Sequence, residues 1–199
     1  MLLKRLFDFL CAAGGLVILS PVLIVIMLLI KLTSAGPIFF RQTRVGQYEQ
    51  LFQIHKFRTM IVNAEARGLK ITVGQDARIT SIGRFLRKTK LDELPQLIDV
   101  LIGNMSLVGP RPEVPEYVKY YPAEVKAQIF KLKPGITDWA SIKMIDENAI
   151  LAKAENPEQE YIHKILPEKL TFAVRYAETR SLSLDIYLIF LTIAKIFTR

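Results

Sequence analysis

From Phe9 to Ile30 the chain carries no charged residue. At about 1.5 Å per helical residue this run reaches roughly 33 Å, enough to cross a hydrocarbon core. No other stretch constrains the fold as strongly. Lys4 and Arg5 resemble the basic start of a signal peptide, and Ser34-Ala35-Gly36 is a weak cleavage site. The apolar run exceeds the usual signal core of about 7–15 residues, so a retained membrane segment is expected. Ser20-Pro21 falls in mid-run, where proline removes one backbone hydrogen bond and crowds the carbonyl four residues earlier. Basic residues flank both ends: Lys4 and Arg5 before, Lys31, Arg41 and Arg44 after. A single span therefore gains no orientation from the positive-inside bias, whereas a re-entrant helix satisfies it with both ends on the cytoplasmic face. On these features a kinked transmembrane helix and a re-entrant one stand about level.

The 199 residues are enough for one domain with an appendage, and 51% of them are apolar. The net charge of +8 points to an anionic partner: nucleic acid, an anionic bilayer or a phosphorylated substrate. Nucleic acid rests on net charge alone and is not expected. Cys11 is the only cysteine, so an intrachain disulfide is excluded and a reducing compartment fits. No Cys/His cluster has zinc spacing, and His55 and His163 lie far apart in sequence.

Beyond Gly36-Pro37, the stretch Pro37 to Gln42 reads as a short strand. Leu51 to Phe57 alternates apolar and polar residues and reads as a second, half-buried strand. The Gly-containing link Thr43 to Gln50 makes the two a hairpin. Lys56 and Arg58 bracket Phe57, as phosphate ligands or as a solvated basic face. A short helix is expected at 63–68, a polar loop at 69–77 and a helix at 78–90 with Ile82, Phe85 and Leu86 on one face.

The basic run Arg84, Arg87, Lys88 and Lys90 leads into adjacent carboxylates, Asp92 and Glu93. Leu94, Leu97, Ile98 and Leu101 then repeat at helical spacing. Asp92 suits an N-cap, with Pro95 in the first turn. Acids beside bases at a helix entrance also suit metal-assisted phosphate chemistry. Farther on, Gly103 to Pro112 is a stiff turn holding Arg111 between two prolines. Proline fixes φ, and arginine suits bidentate phosphate contact.

Four motifs now stand in order: Lys56-Phe57-Arg58-Thr59-Met60, Leu91-Asp92-Glu93-Leu94-Pro95-Gln96, Met105 to Pro112, and Lys133-Pro134-Gly135-Ile136-Thr137. Together they resemble the bacterial sugar transferases, and in particular the small monotopic phosphoglycosyl transferases. The resemblance runs over nearly the whole chain. It implies transfer of a sugar-1-phosphate from a UDP-sugar to polyprenol phosphate with release of UMP, initiating bacterial glycan assembly. By resemblance, Asp92 is the nucleophile and forms a phosphosugar–aspartyl intermediate. Mg²⁺ is expected near Asp92 and Glu93, and Arg111, Arg87 and Lys56 are the candidate phosphate-binding residues.

The implied fold is α+β. A mainly helical catalytic domain with a short β-hairpin covers 36–199. A re-entrant membrane helix-break-helix at 1–35, broken at Ser20-Pro21, and interfacial helices accompany it. The resemblance places the chain at the bacterial inner membrane, in one leaflet, with its catalytic domain on the cytoplasmic face. A homo-oligomer is compatible with these features, and none of them specifies one. A catalytically inactive adaptor that holds anionic lipid is the alternative.

Two departures stand out. The stretch Asp138-Trp139-Ala140-Ser141-Ile142-Lys143 lacks the glycine and arginine usual in the family, and Lys143 is the nearest charge. Ala173 replaces a frequent acid before Tyr176. The charged stretch 147–169 is expected to be helical with a break near Pro157. Leu182 to Phe197, with only Asp185 and Lys195 charged, is expected as an interfacial or buried helix.

Overall fold

A computed structural model describes residues 2–64, 71–74, 76–144 and 147–198. The short helix expected at 63–68 lies largely outside these residues. The chain begins with one long helix, α1 (Leu2–Thr33), long and apolar enough to cross a membrane. One stripe of α1 faces the rest of the protein. Ala12, Leu16 and Leu19 pack with Ile54, Leu97, Val100 and Met105. Leu23, Ile26, Met27 and Ile30 continue the stripe against Phe57 and Leu86. These positions recur every three or four residues, as one helical face must. Val17, Ile18, Val25, Leu28 and Leu32 on other faces are exposed.

The sequence predicts a break at Ser20-Pro21, but the backbone remains helical there. Pro21 cannot donate to the Val17 carbonyl four residues back. The Ser20 hydroxyl donates to that carbonyl instead, at 2.8 Å. The side chain thus satisfies the acceptor that proline orphans. Both ends of α1 are tied to the same body: Lys4 Nζ donates to Asp185 at 2.6 Å, and Arg58 Nη2 donates to the Ser34 carbonyl at 2.7 Å.

Strands β1 (Phe39–Val45) and β2 (Leu51–Phe57) form the expected antiparallel hairpin, in register Phe39↔Phe57 to Val45↔Leu51. Helix α2 (Ser81–Lys88) is shorter than expected, because the Thr80 hydroxyl caps it by accepting from Gly83 N at 3.0 Å. Leu86 is buried, but Phe85 is 54% exposed and does not share its face. A 3₁₀ turn, Leu91–Glu93, leads to α3 (Gln96–Ile102). Asp92 therefore does not cap α3. Pro95 holds that position, and Lys90 sets the turn by adopting φ 60°.

Strand β3 (Ser106–Val108) pairs in parallel with β4 (Gly135–Thr137), a pairing the sequence did not announce. The crossing is tight. A Cβ on Gly135 would lie 2.1 Å from Gly109 N, closer than atoms tolerate. The glycines of two separate motifs thus exist for each other. Helices α4 (Pro115–Val118) and α5 (Ala123–Ile129) are separated at Pro122. They pack with α9 (Leu166–Thr179) in the main core, around Tyr117, Tyr161 and Leu170. Between them come α6 (Trp139–Lys143), α7 (Glu147–Leu151) and α8 (Pro157–Glu160). The last helix, α10 (Leu182–Phe197), buries Asp185 and Leu188 and exposes Tyr187 and Phe190.

Overpacking a filled core costs about 1–3 kcal/mol, and here the obstruction is backbone that cannot rotate away. Gly135→Ala is expected to lower stability by at least about 2 kcal/mol in equilibrium denaturation, whereas Gly14→Ala, inside α1 with open space around it, is expected to leave it unchanged or raise it by up to about 1 kcal/mol.

Candidate active site

Three segments distant in sequence converge on Glu93. Strand alternation puts Lys56 of β2 on the inner face, where its Nζ donates to Glu93 Oε1 at 2.7 Å. Arg111 donates to the same oxygen through Nη2 and to Oε2 through Nη1 at 3.3 Å. Arg111 is itself held from behind. Arg44 Nη1 donates to the Pro112 carbonyl at 3.0 Å, and the paired glycines fix where its loop leaves β3.

The adjacent carboxyls have opposite surroundings. Burial alone would raise Glu93, but Arg111, Lys56 and Lys90 outweigh it and hold its carboxyl well below the usual range. Burial, with the neighbouring Glu93 charge, pushes Asp92 up. Asp92 Oδ1 is buried and has no hydrogen-bond partner. Glu93 is therefore a fixed anion inside a cationic clamp, whereas Asp92 keeps an oxygen unengaged. Pairs of acids driven apart in this way commonly divide chemical roles.

Both acids line a cleft of about 980 Å³ whose wall includes Lys56, Arg58, Arg87 and Arg111. All five site residues expected from the sequence thus share one cavity. Arg87, on α2, is fixed by two hydroxyls: Nε donates to Thr59 at 2.8 Å and Nη1 to Thr72 at 2.9 Å. Burial lowers its pKa, with Asp92 the leading opposing charge.

Arg58 is a wall residue whose structural part the sequence hid. It is 5% exposed and joins the end of α1 to the cleft through Ser34, while Nε and Nη1 have no partner. Asp138 also lines the cleft, although its Oδ1 is occupied by Ser141 N at 2.8 Å and by the Ser141 hydroxyl. The departure at Ala173 lies on the cleft wall too. Lys143 is exposed and does not line the cleft. His55 pairs with Asp99 at 2.7 Å and His163 with Gln159 at 2.9 Å; the histidines do not meet.

Among the described residues, no group of three or more His, Cys, Asp or Glu is placed to hold a metal by itself. Mg²⁺ characteristically takes one or two carboxylates and completes its shell with waters and substrate phosphates. The Asp92 carboxylate fits that pattern as a single protein ligand. Glu93 fits less directly, because Lys56 and Arg111 already occupy its oxygens.

A family model described as bacterial sugar transferase matches residues 1–199. The chain is 39% identical over 199 residues to the UDP-glucose:undecaprenyl-phosphate glucose-1-phosphate transferase of Escherichia coli (strain K12), covering 98% of this chain and 40% of that protein. It is 35% identical over 198 residues to the UDP-N-acetylgalactosamine-undecaprenyl-phosphate N-acetylgalactosaminephosphotransferase of Aeromonas hydrophila, covering 98% and 44%. With the uncharacterized sugar transferase EpsL of Bacillus subtilis (strain 168) the identity is 36% over 196 residues, covering 98% and 88%. The chain thus spans about two fifths of the first two relatives and most of the third. On the family match and these near-complete alignments, the chain belongs to the bacterial sugar transferase family.

Proposed function

We propose that this chain transfers a sugar-1-phosphate from a UDP-sugar to polyprenol phosphate through an aspartyl intermediate. The observation that carries this reading is the unpartnered, buried Asp92 oxygen beside a Glu93 already neutralised by cations. Asp92 Oδ1 attacks the phosphorus that bears the sugar, and the bond between that phosphorus and the bridging oxygen breaks. UMP leaves with the electron pair. An oxygen of polyprenol phosphate then attacks the same phosphorus, and the Asp92 carboxylate leaves unchanged. Each step brings anion to anion, so fixed cations are required. Arg111, Arg87 and Lys56 supply them from preorganised positions on the cleft wall. Mg²⁺ held by Asp92 and the donor's phosphates would neutralise the diphosphate oxygens. A lipid-binding adaptor leaves the buried, unengaged carboxylate oxygen without a use.

The membrane part of the proposal is that α1 enters one leaflet and returns by bending at Ser20-Pro21 without losing its helical backbone, keeping both ends on the cytoplasmic face. Its support is the pair of tethers at the two ends, Lys4 to Asp185 and Ser34 to Arg58, both onto the same domain. Exposed apolar side chains on α1 and α10 suit a bilayer surface.

Purified protein given Mg²⁺, polyprenol phosphate and a panel of UDP-sugars is expected to release UMP with at least one sugar; a folded protein releasing none would sink the transferase reading. Asp92→Asn is expected to lower turnover by on the order of 10³-fold or more while the protein stays membrane-bound.

The reaction needs Asp92 ionised. Its raised pKa sets the acid limb of the kcat/KM profile, which reports the free enzyme, above the usual carboxylate value of 3.8, and activity is lost as pH falls through it. Glu93→Gln removes the neighbouring negative charge and releases two cations toward Asp92. Both changes favour the Asp92 anion, so the acid limb is expected to move to lower pH; an unmoved or raised limb would contradict this assignment.

With Cys11 replaced by serine, Leu3→Cys and Ala35→Cys are expected to react with an impermeant thiol reagent from the same side. Labelling from opposite sides would mean that α1 crosses the bilayer. Gly36 is avoided because a Cβ there would meet Arg58 at 2.2 Å.

A further inference from the structure

We infer that Asp8, at the start of the membrane helix, is a positioning residue for Arg111, acting through strand β3. The inference rests on the reading that Arg111 faces the reacting phosphates. Asp8 is 2% exposed and sits at the edge of the uncharged run. Its bonds go to β3. Oδ2 accepts from the Ser106 hydroxyl at 2.8 Å, and Oδ1 accepts from the Leu107 backbone N–H at 3.2 Å. Strand β3 has one strand neighbour, and its ladder residues Ser106 and Val108 face β4. Leu107 lies between them, so its N–H points away from β4, toward α1. Asp8 supplies the acceptor that a third strand would otherwise provide.

The grip on β3 is reinforced from the other helices. Tyr176 OH of α9 donates to Asp185 at 2.7 Å and lies 3.1 Å from the Val108 carbonyl, a second acceptor for the same proton. Lys4 sits between the acids, 2.6 Å from Asp185 and 3.8 Å from Asp8. One cation thus serves two buried carboxylates, and the cluster joins α1, α9 and α10 to a single strand.

What happens to β3 reaches Arg111 without slack. Backbone bonds continue past the strand: Gly109 N donates to Thr137 O at 3.2 Å and Gly135 N to Pro110 O at 3.0 Å. Arg111 follows directly and is flanked by prolines, which leave little backbone freedom to absorb a shift. Simple anchoring of α1 does not account for Asp8. Arg5 already anchors this end by donating to the Val100 and Leu101 carbonyls, and Lys4 does so through Asp185. Asp8 adds contacts to the strand that leads to the site.

The test uses the full chain in lipid nanodiscs, with two measurements. The first is amide hydrogen exchange. Asp8→Ala is expected to speed exchange of Leu107, Gly109 and Arg111 by about tenfold or more while leaving residues 34–45 unchanged. No change at 107–111, or an equal rise at both places, would overturn the inference.

The second is steady-state turnover in wild-type and Arg111→Lys backgrounds. Asp8→Ala is expected to lower kcat about tenfold with wild-type Arg111, and by less than about twofold in Arg111→Lys, where the fork geometry being positioned is already lost. Asp8→Asn keeps an acceptor for Leu107 N–H and is expected to recover most of the loss. Equal fold losses in both backgrounds would overturn the inference. Should Asp8→Ala fail to fold, Ser106→Ala, which removes the hydroxyl's 2.8 Å bond to Asp8 and its 2.9 Å contact with the Val108 carbonyl but leaves the Asp8 carboxylate on Leu107 N–H, replaces it with the same expected pattern at smaller amplitude. Exchange needs no turnover, so failure of the transferase reading, seen as no UMP from the wild type, stays separate from failure of this one.

Discussion

The carboxylate of Glu93, clamped by Lys56 and Arg111, is the interaction on which the site depends. Removing one partner of a buried ion pair generally costs about 3–5 kcal/mol, because the remaining charge is left without compensation. Three charges taken out of water together therefore hold three segments in register: β2, the turn before α3, and the loop after β3. The same neutralisation creates the asymmetry next door. With Glu93 satisfied, the cations nearest the acidic pair are partly spent, and Asp92 is left in a buried place with an unpaired oxygen. A chain selected for stability alone has no reason to keep such an atom.

The N-terminal helix belongs to this arrangement and is not a detachable tether. Its inward stripe packs first against α3 and β2, then against α2 and the end of β2. These are the elements that carry Lys56, Arg87 and the acidic turn. Its outward face is apolar and exposed. The two faces together explain why the run reads as uniformly hydrophobic: one packs against the protein, and the other presents exposed apolar side chains suited to a bilayer. The polar contacts are confined to the ends, at Lys4, Arg5 and Asp8 and at Ser34.

Much of the site was legible in the sequence, and for physical reasons. The β1–β2 hairpin follows from the alternation through Phe52, Gln53, Ile54 and His55, and the two-residue period of a strand already places Lys56 on the face of Ile54. The two prolines around Arg111 announce a stiff loop. What stayed hidden depends on contacts between distant residues. Asp92 reads as an N-cap because acids before a helical repeat usually are; only the αL turn at Lys90 and Pro95 at the helix start remove it from that role. The parallel β3–β4 pair was not legible, since three-residue strands carry no periodicity. Its only local trace is two glycines, whose shared crossing cannot be inferred from either one. Phe85 fits the helical repeat and yet is exposed, because α2 turns Ile82, Gly83 and Leu86 inward instead.

The Ser20-Pro21 pair shows how one local feature supports two architectures. Read alone, proline in an apolar helix signals a break, since its ring and missing N–H each cost free energy. The serine beside it changes that balance: its hydroxyl reaches the one carbonyl that Pro21 leaves free, so the helix continues with every nearby acceptor satisfied. In hydrocarbon an unsatisfied carbonyl costs several kcal/mol, so a bend at proline is tolerable only where something else donates. A Ser-Pro pair carries that donor with it. The serine offsets the lost hydrogen bond while the ring's crowding remains, so a bend here relieves strain without orphaning the carbonyl. The contacts at the two ends of the helix tie Lys4 and Ser34 to one domain, and any bilayer the helix enters must accommodate that constraint.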